Sequence, residues 1–355
     1  MGERIAAAAS QAWPAFVLVS GLLLVGIVAH ADGLFVLAGR QLERMPGRPV
    51  ALLLCGMALV AVVTALLNLD TAVVFLTPVL VHAARTRGVS EKPFLYSAVF
   101  MANASSLYLP GSNLTNLLVL AHSPISGSTF AARLIAPALA ATLATALGLV
   151  LLFRKFFRER SPALRGDRTR VRLPLVGTVA TLAAACLTVA LRNAAVPVLA
   201  VGALAAGTQV LRGRVSLRDV LRAVGPLVLV ALFATAVAFG TLARSWGGPA
   251  SILASATAFE TAAIGALAAV LVNNLPAAVL LSSGAAHHSA ALLIGLNLGP
   301  NIAVSGSLSA LLWYRAASAI DARPSILTYS LDGAVLAAAA MFAALGAASA
   351  VGSPL

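Results

Sequence analysis

The sequence predicts an all-α, polytopic membrane protein of about ten membrane passes, arranged as an inverted repeat with two discontinuous helices. Three observations predict it. Of the 355 residues, 60% are hydrophobic and only 10% are charged, against about a quarter charged in soluble domains, and mean hydropathy is +0.98. Apolar runs recur from residue 13 to residue 350. The sequence lacks the short alternating segments of a transmembrane barrel. These observations exclude an ordinary soluble protein, a disordered chain and a protein held by one anchor.

Taken in order, the apolar segments cover residues 13–31, 49–67, 71–84, 93–121, 129–153, 173–191, 194–211, 223–243, 255–272, 276–287, 289–320 and 326–350. The first ends in Ala29-His30-Ala31, the pattern of a signal-peptide cleavage site. Its charged flank has only Arg4 and many apolar segments follow it, so it reads as a retained helix. Residues 49–67 are long enough for a full crossing, whereas 71–84 reach only about 21 Å. Residues 93–121 would make about 43 Å of helix, too long for a straight pass, and they contain the breaker Pro110-Gly111-Ser112-Asn113. Residues 289–320 are similarly overlong and contain Gly299-Pro300 and Ser305-Gly306-Ser307. Both read as discontinuous membrane helices.

The net charge of +13 comes from 24 Lys+Arg against 11 Asp+Glu. In a soluble protein it would suggest nucleic acid. Here the charges lie in short loops between apolar runs, so the positive-inside rule accounts for them, and the expected partner is a lipid bilayer. The densest run, residues 154–172, carries eight basic residues. It reads as a solvated cytoplasmic loop between a first repeat, residues 1–153, and a second, residues 173–355. If 49–84 and 255–287 each return to their starting side, 20 of the 24 basic residues fall on one face, leaving Arg4, Arg133, Arg192 and Arg244 on the other. A single crossing at 49–84 lowers the tally to 17. The tally fits both a re-entrant hairpin and two full crossings. The expected location is a bacterial-type inner (plasma) membrane with the basic loops cytoplasmic. Cys55 and Cys186 are far apart inside apolar runs and form no disulfide framework or CxxC motif.

Internal duplication shows at two places. Residues 103–118 and 297–312, offset by 194, share Asn103/Asn297, Leu114/Leu308, Leu117/Leu311 and Leu118/Leu312, with Thr115/Ser309 similar. Residues 68–73 (NLDTAV) and 274–279 (NLPAAV) match at an offset of 206. Both pairs occur in the same order in each half. The same-side topology places the halves in opposite orientations, the usual build of a secondary transporter.

These matches lie at four polar breaks inside apolar segments. A break at membrane depth must line protein or a water-filled cavity, and the helix after it points free N–H groups and a positive dipole end into it. The candidate solute- or ion-binding residues are therefore Asn68, Asp70 and Thr71; Ser112, Asn113 and Thr115; Asn273 and Asn274; and Asn297, Asn301, Ser305 and Ser307. Short helices are expected after each break. Asp70, Asn113 and Asn274 suit N-cap positions, each contributing about 1 kcal/mol, and Pro276 suits a first helical turn. Asp70 stands out, because a carboxylate at bilayer depth costs about 2.5–3.5 kcal/mol on insertion scales; the expected role is coupling to protons or orienting the solute. Asp332 reads as interfacial or paired with a neighbouring helix, Glu260 as the start of a hairpin arm, and His287-His288 as interfacial. No metal site and no cofactor are expected.

The motifs NLDTAVVFLTP (68–78), ASSLYLPGSNLTNLLV (104–119), VNNLPAAVL (272–280) and LGPNIAVSGSLSALLW (298–313) resemble the arsenical pump membrane protein family, the arsenite/antimonite permease branch of the ion transporter superfamily. The resemblance runs from about residue 13 to residue 350. It implies two re-entrant hairpins with tips at Asn68–Thr71 and Asn273–Pro276, and unwound helices at Pro110–Asn113 and Gly299–Ser307. It also implies alternating access with export of trivalent arsenic or antimony as the uncharged hydroxide, driven by protons or aided by a soluble ATPase subunit, and a homodimer is compatible with it. The family often has an acidic residue just before the second LGP motif and a basic one after it; here Asn297 and Asn301 stand there. The first repeat also looks shortened at its N-terminal end, since residues 173–211 have no counterpart before residue 13.

Two separated cysteines cannot form a three-thiol arsenic trap, and a set of Asn, Ser, Thr and backbone N–H suits a neutral trihydroxide that must be released again. The alternative is a relative carrying another small ion, by Na+/H+ antiport or carboxylate or oxyanion transport. An intramembrane enzyme is disfavoured, because the sequence contains no HExxH, no GxSxG and no paired membrane-depth acids.

Overall fold

A computed structural model describes residues 1–122, 125–159, 163, 173–246, 248–282 and 288–352. Most of the basic run 154–172, together with His287, therefore lies outside the described residues. Among the described residues the secondary structure is helical, without strands. The order begins with α1 (Gly2–Ala31), α2 (Leu34–Arg44), α3 (Pro49–Leu66), α4 (Leu69–Thr86), α5 (Lys92–Ala104), α6 (Leu114–Leu120) and α7 (Gly127–Leu152). Then come α8 (Leu175–Ala190), α9 (Ala195–Leu211) and α10 (Leu217–Val224). The chain finishes with α11 (Pro226–Ser245), α12 (Gly248–Ala254), α13 (Ala258–Val272), α14 (Asn274–Leu281), α15 (Ser289–Leu298), α16 (Leu308–Ser318) and α17 (Ile326–Ala350). Five stretches are long and apolar enough to cross a membrane: α1, α3, α7, Leu217–Ser245 and α17. Shorter apolar helices include α8, α9 and α13. The protein is a multi-pass membrane protein.

Local chemistry fixes many of the ends. Pro49 and Pro226 open α3 and α11, where the missing N–H is an orphan in any case. Ser126 and Ser325 cap α7 and α17 through the N–H groups of Thr129 and Thr328. Thr257 and Glu260 form a capping box at α13. Two lengths differ from the sequence reading. α1 begins at Gly2 rather than near residue 13, and α4 spans 18 residues instead of the 14 of the apolar run. In both cases alanines or polar residues extend the helix beyond its apolar stretch, because packing rather than hydropathy sets the end.

One order of elements occurs twice: a long helix, a short helix, a hairpin, a broken helix and a long helix, in α1–α7 and again in α11–α17. The hairpins are α3–α4 and α13–α14; the broken helices are α5–α6 and α15–α16. Packing follows the same symmetry. α4 lies against α16, α14 against α6, α1 against α11 and α7 against α17. Each hairpin thus rests on the broken helix of the other half.

Helix α1 also packs against α8 and α9. Small residues allow the close approach: a Cβ on Gly21 would lie 2.6 Å from the backbone N of Leu199, and one on Gly202 would lie 2.5 Å from the carbonyl of Gly21. The buried Asp32 carboxylate secures the end of α1 by accepting from Gly177 N (3.0 Å) and Arg214 Nη1 (2.7 Å).

Candidate functional site

The first hairpin tip meets the broken helix of the opposite half, and the second meets the unwound segment of its own half. At the first tip the extended Asn68 caps α4, its Oδ1 accepting from Thr71 N at 2.7 Å. That puts Asp70 in the first turn, where a carboxylate suits the positive helix end. Its Oδ1 accepts from Ser309 Oγ at 2.5 Å, on the first turn of α16. At the second tip Asn273 has φ of 78° and ψ of 149°, a positive-φ conformation outside the left-handed helical region. Its Oδ1 accepts from Leu275 N (3.3 Å) and its Nδ2 donates to the carbonyl of Ser305 (2.9 Å), inside the second unwound segment. The caps therefore differ from the sequence reading by one or two positions: Asn68 rather than Asp70, and Asn273 rather than Asn274. The residue that becomes a cap is the one whose own backbone leaves the helix. α4 is also a full-length helix instead of the short one expected there.

The broken helices supply the other two starts. Asn113 caps α6 through Thr115 N (3.0 Å), and Ser307 caps α16 through Ala310 N (3.2 Å). All four helix starts line one cavity of about 260 Å³, faced by Asp70, Asn113, Thr115, Asn273, Asn274 and Ser309. Val19 and Leu23 of α1 and Leu229 and Leu232 of α11 form its apolar wall. Arg222 and Arg315, both exposed, line its rim. Inside the rim the polar surface is amide, hydroxyl and one carboxylate. A second cavity of about 270 Å³ reaches Pro110 of the same unwound segment, lined also by Gln11, Leu117, Thr188 and Arg192.

The remaining sequence-predicted residues do not face the central cavity. Asn297 is fully buried in a clasp between the two broken helices. Its Oδ1 accepts from Asn113 Nδ2 (2.6 Å) and from the Ser106 hydroxyl, while its Nδ2 donates to Asn116 Oδ1 (2.8 Å) and to the Leu293 carbonyl (2.8 Å). Asn301, also fully buried, accepts from Asn103 Nδ2 at 2.7 Å. Ser112 closes its own turn with Leu109. Thr71 faces α1, where a Cβ on Gly26 would lie 2.7 Å from its Cγ2. Ser305 contributes its carbonyl while its side chain is exposed.

Sequence reasoning missed Ser309, Asn116, Arg222 and Arg315. A signal existed for Ser309, which stands opposite Thr115 in the repeat, and for Asn116, in the same SNLTN stretch. The two arginines read as ordinary loop charges. Cys55 and Cys186 do not line the cavity. Among the described residues no three His, Cys, Asp or Glu side chains form a metal-binding group.

Comparison with known proteins agrees with this architecture. A family model described as "Citrate transporter" matches residues 2–314. An arsenical pump membrane protein of Yersinia enterocolitica is 27% identical, over 94% of this chain and 86% of its own length. One from Escherichia coli (strain K12) is 26% identical with the same coverage. The crystal structure of the Alcanivorax borkumensis YdaH transporter, described as having an unusual topology, superposes with a TM-score of 0.64 at 15% identity, over 98% of this chain and 87% of that one. This last likeness is one of fold.

Proposed function

The chain belongs to the citrate transporter family, and from that premise we propose that it exports trivalent arsenic or antimony as the neutral trihydroxide, by alternating access. That it is a transporter related to the arsenical pumps follows from the family match and the relatives. The substrate and mechanism are our reading. One observation carries it: four capped helix starts, two from each half, converge on one cavity whose interior polar groups are amides, hydroxyls and a single carboxylate. A trihydroxide both donates and accepts hydrogen bonds, as do Asn113, Thr115, Asn274 and Ser309. Being uncharged, it avoids the desolvation penalty of an ion. Sites without thiolates hold it reversibly.

In this reading Asp70 exchanges a proton, and its bond to Ser309 ties the first hairpin tip to the broken helix of the other half. The halves 1–153 and 173–355 exchange exposure around the unwound segments, the first of which the two cavities approach separately, at Pro110 and at Asn113. With the basic loops on the cytoplasmic side of a bacterial-type inner membrane, the rim at Arg222 and Arg315 faces the cytoplasm, and the cavity is the loading site. A soluble ATPase subunit and a second copy of the chain are compatible partners.

The two arginines favour a second reading, a carboxylate or oxyanion substrate, because paired guanidiniums at a rim attract anions. Uptake into proteoliposomes under an imposed pH gradient separates the readings. Arsenite movement that antimonite competes and citrate does not is the expected result. Citrate movement without arsenite movement would overturn the proposal in favour of the second reading.

A further inference from the structure

We propose that α10 is a docking surface for anionic phospholipid headgroups, set at the rim of the central cavity. The inference concerns the membrane rather than the solute and holds whichever solute the cavity carries.

Helix α10 ends at Gly225, whose φ of 58° breaks the helix, and the apolar α11 starts at the next residue. With the apolar α11 as the membrane pass, α10 lies in this proposal at the membrane boundary. The helix has eight residues, and a capping box gives it a defined start: Ser216 Oγ accepts from Asp219 N (3.1 Å) and donates to the Asp219 carboxylate (2.6 Å). That bond occupies the only acid on the helix. Arg214, just before it, donates to Asp32 at the end of α1 and holds the lead-in against the protein.

The helix has more apolar surface than the protein covers. Val220 is its one buried residue, and α10 packs on α1. Leu217 and Leu221, one turn apart, remain 64% and 52% exposed. Each is followed directly by an arginine, so Arg218 and Arg222 form a parallel row, one helical step of about 100° away, and both are exposed. A row of leucines beside a row of arginines matches a membrane interface, with acyl chains under the first and headgroups beside the second. The charge selects anionic headgroups over zwitterionic ones. Arg222, Ala223, Val224 and Gly225 also line the cavity, so bound headgroups would stand at the solute's threshold.

A cysteine at Leu221, in a chain carrying Cys55→Ala and Cys186→Ala, takes an environment-sensitive fluorophore for the test. The protein is reconstituted in vesicles of phosphatidylcholine alone or with one third phosphatidylglycerol, and quenching by neutral acrylamide is measured. Shielding that deepens with phosphatidylglycerol is expected, and each arginine strengthens such attraction about fivefold. Arg218→Gln with Arg222→Gln should therefore abolish the difference between the vesicles. Equal shielding in both lipids, or a difference that survives loss of both arginines, would overturn the proposal. Intact-protein mass spectrometry gives a second readout: fewer retained phosphatidylglycerol molecules in the double variant than in the parent, against equal numbers if the surface binds no headgroup.

Discussion

Replacing Asn297 by alanine tests the clasp that joins the broken helices. In the wild type its side chain serves four partners at zero exposure. Alanine leaves Asn113 Nδ2 and Asn116 Oδ1 without partners, whereas the Ser106 hydroxyl, whose one proton is shared between Asn297 Oδ1 and the Asn103 carbonyl, gives it to the carbonyl alone. Each buried orphan costs about 1–3 kcal/mol, so Asn297→Ala should destabilise by about 2–6 kcal/mol. Asn301→Ala breaks one bond and orphans only Asn103 Nδ2, for about 1–3 kcal/mol. Asn297→Asp should not rescue. It preserves the acceptor for Asn113 but turns a second carboxylate oxygen toward Asn116 Oδ1. The assay is equilibrium unfolding in mixed micelles of rising dodecyl sulfate fraction, followed by tryptophan fluorescence. Equal stabilities for Asn297→Ala and Asn301→Ala, or an Asn297→Ala variant within about 0.5 kcal/mol of wild type, would refute this account of the clasp.

Other outcomes follow from the same geometry. Gly333→Ala should destabilise by about 3 kcal/mol or more, since its Cβ would lie 1.8 Å from the Asn301 carbonyl oxygen and only backbone separation relieves that; an unfolding midpoint equal to wild type would contradict it. Ser309→Ala should slow solute transport about tenfold or more, the equivalent of one hydrogen bond to a charged group, while Ser309→Thr retains it; initial rates in proteoliposomes decide. His122, exposed at its edge in the connection after α6, has its imidazole held below the ordinary 6.5 by partial desolvation and then by the Arg244 guanidinium. The folded state therefore prefers neutral His122, and this contribution is complete above pH 6.5 and fades as pH falls below it. The stability difference between wild type and His122→Gln should accordingly change between pH 7 and pH 5, and a pH-independent difference would contradict the assignment.

Much of the fold was legible because membrane burial imposes simple rules. Long apolar runs gave the passes, and overlong runs with Pro110 or Gly299-Pro300 inside gave the broken helices. The breaks were legible as polar interruptions of apolar runs, and the cap at Asn113 with them, whereas the caps at Asn68 and Asn273 were misplaced by one or two residues, because sequence does not show which residue's backbone leaves the helix. Partner choice was hidden. Asn297 reads as a ligand when only its neighbours in sequence are visible, but three of its four partners lie 181–191 residues away. Ser309 entered the repeat comparison only as a match for Thr115, and nothing in the sequence brings it to Asp70. Arg222 could not be told from a topogenic charge until α10 was seen to lie against the cavity.

The central claim is that the chamber at Asp70 exports trivalent arsenic. The most direct measurement is arsenite accumulation in an arsenite-sensitive bacterial strain expressing the chain, beside the same strain expressing Asp70→Asn at equal membrane levels. The account predicts lower accumulation with the wild-type chain and loss of that effect in the variant. Unchanged accumulation with wild-type protein in the membrane, or full export with the same pH dependence by Asp70→Asn, would contradict it.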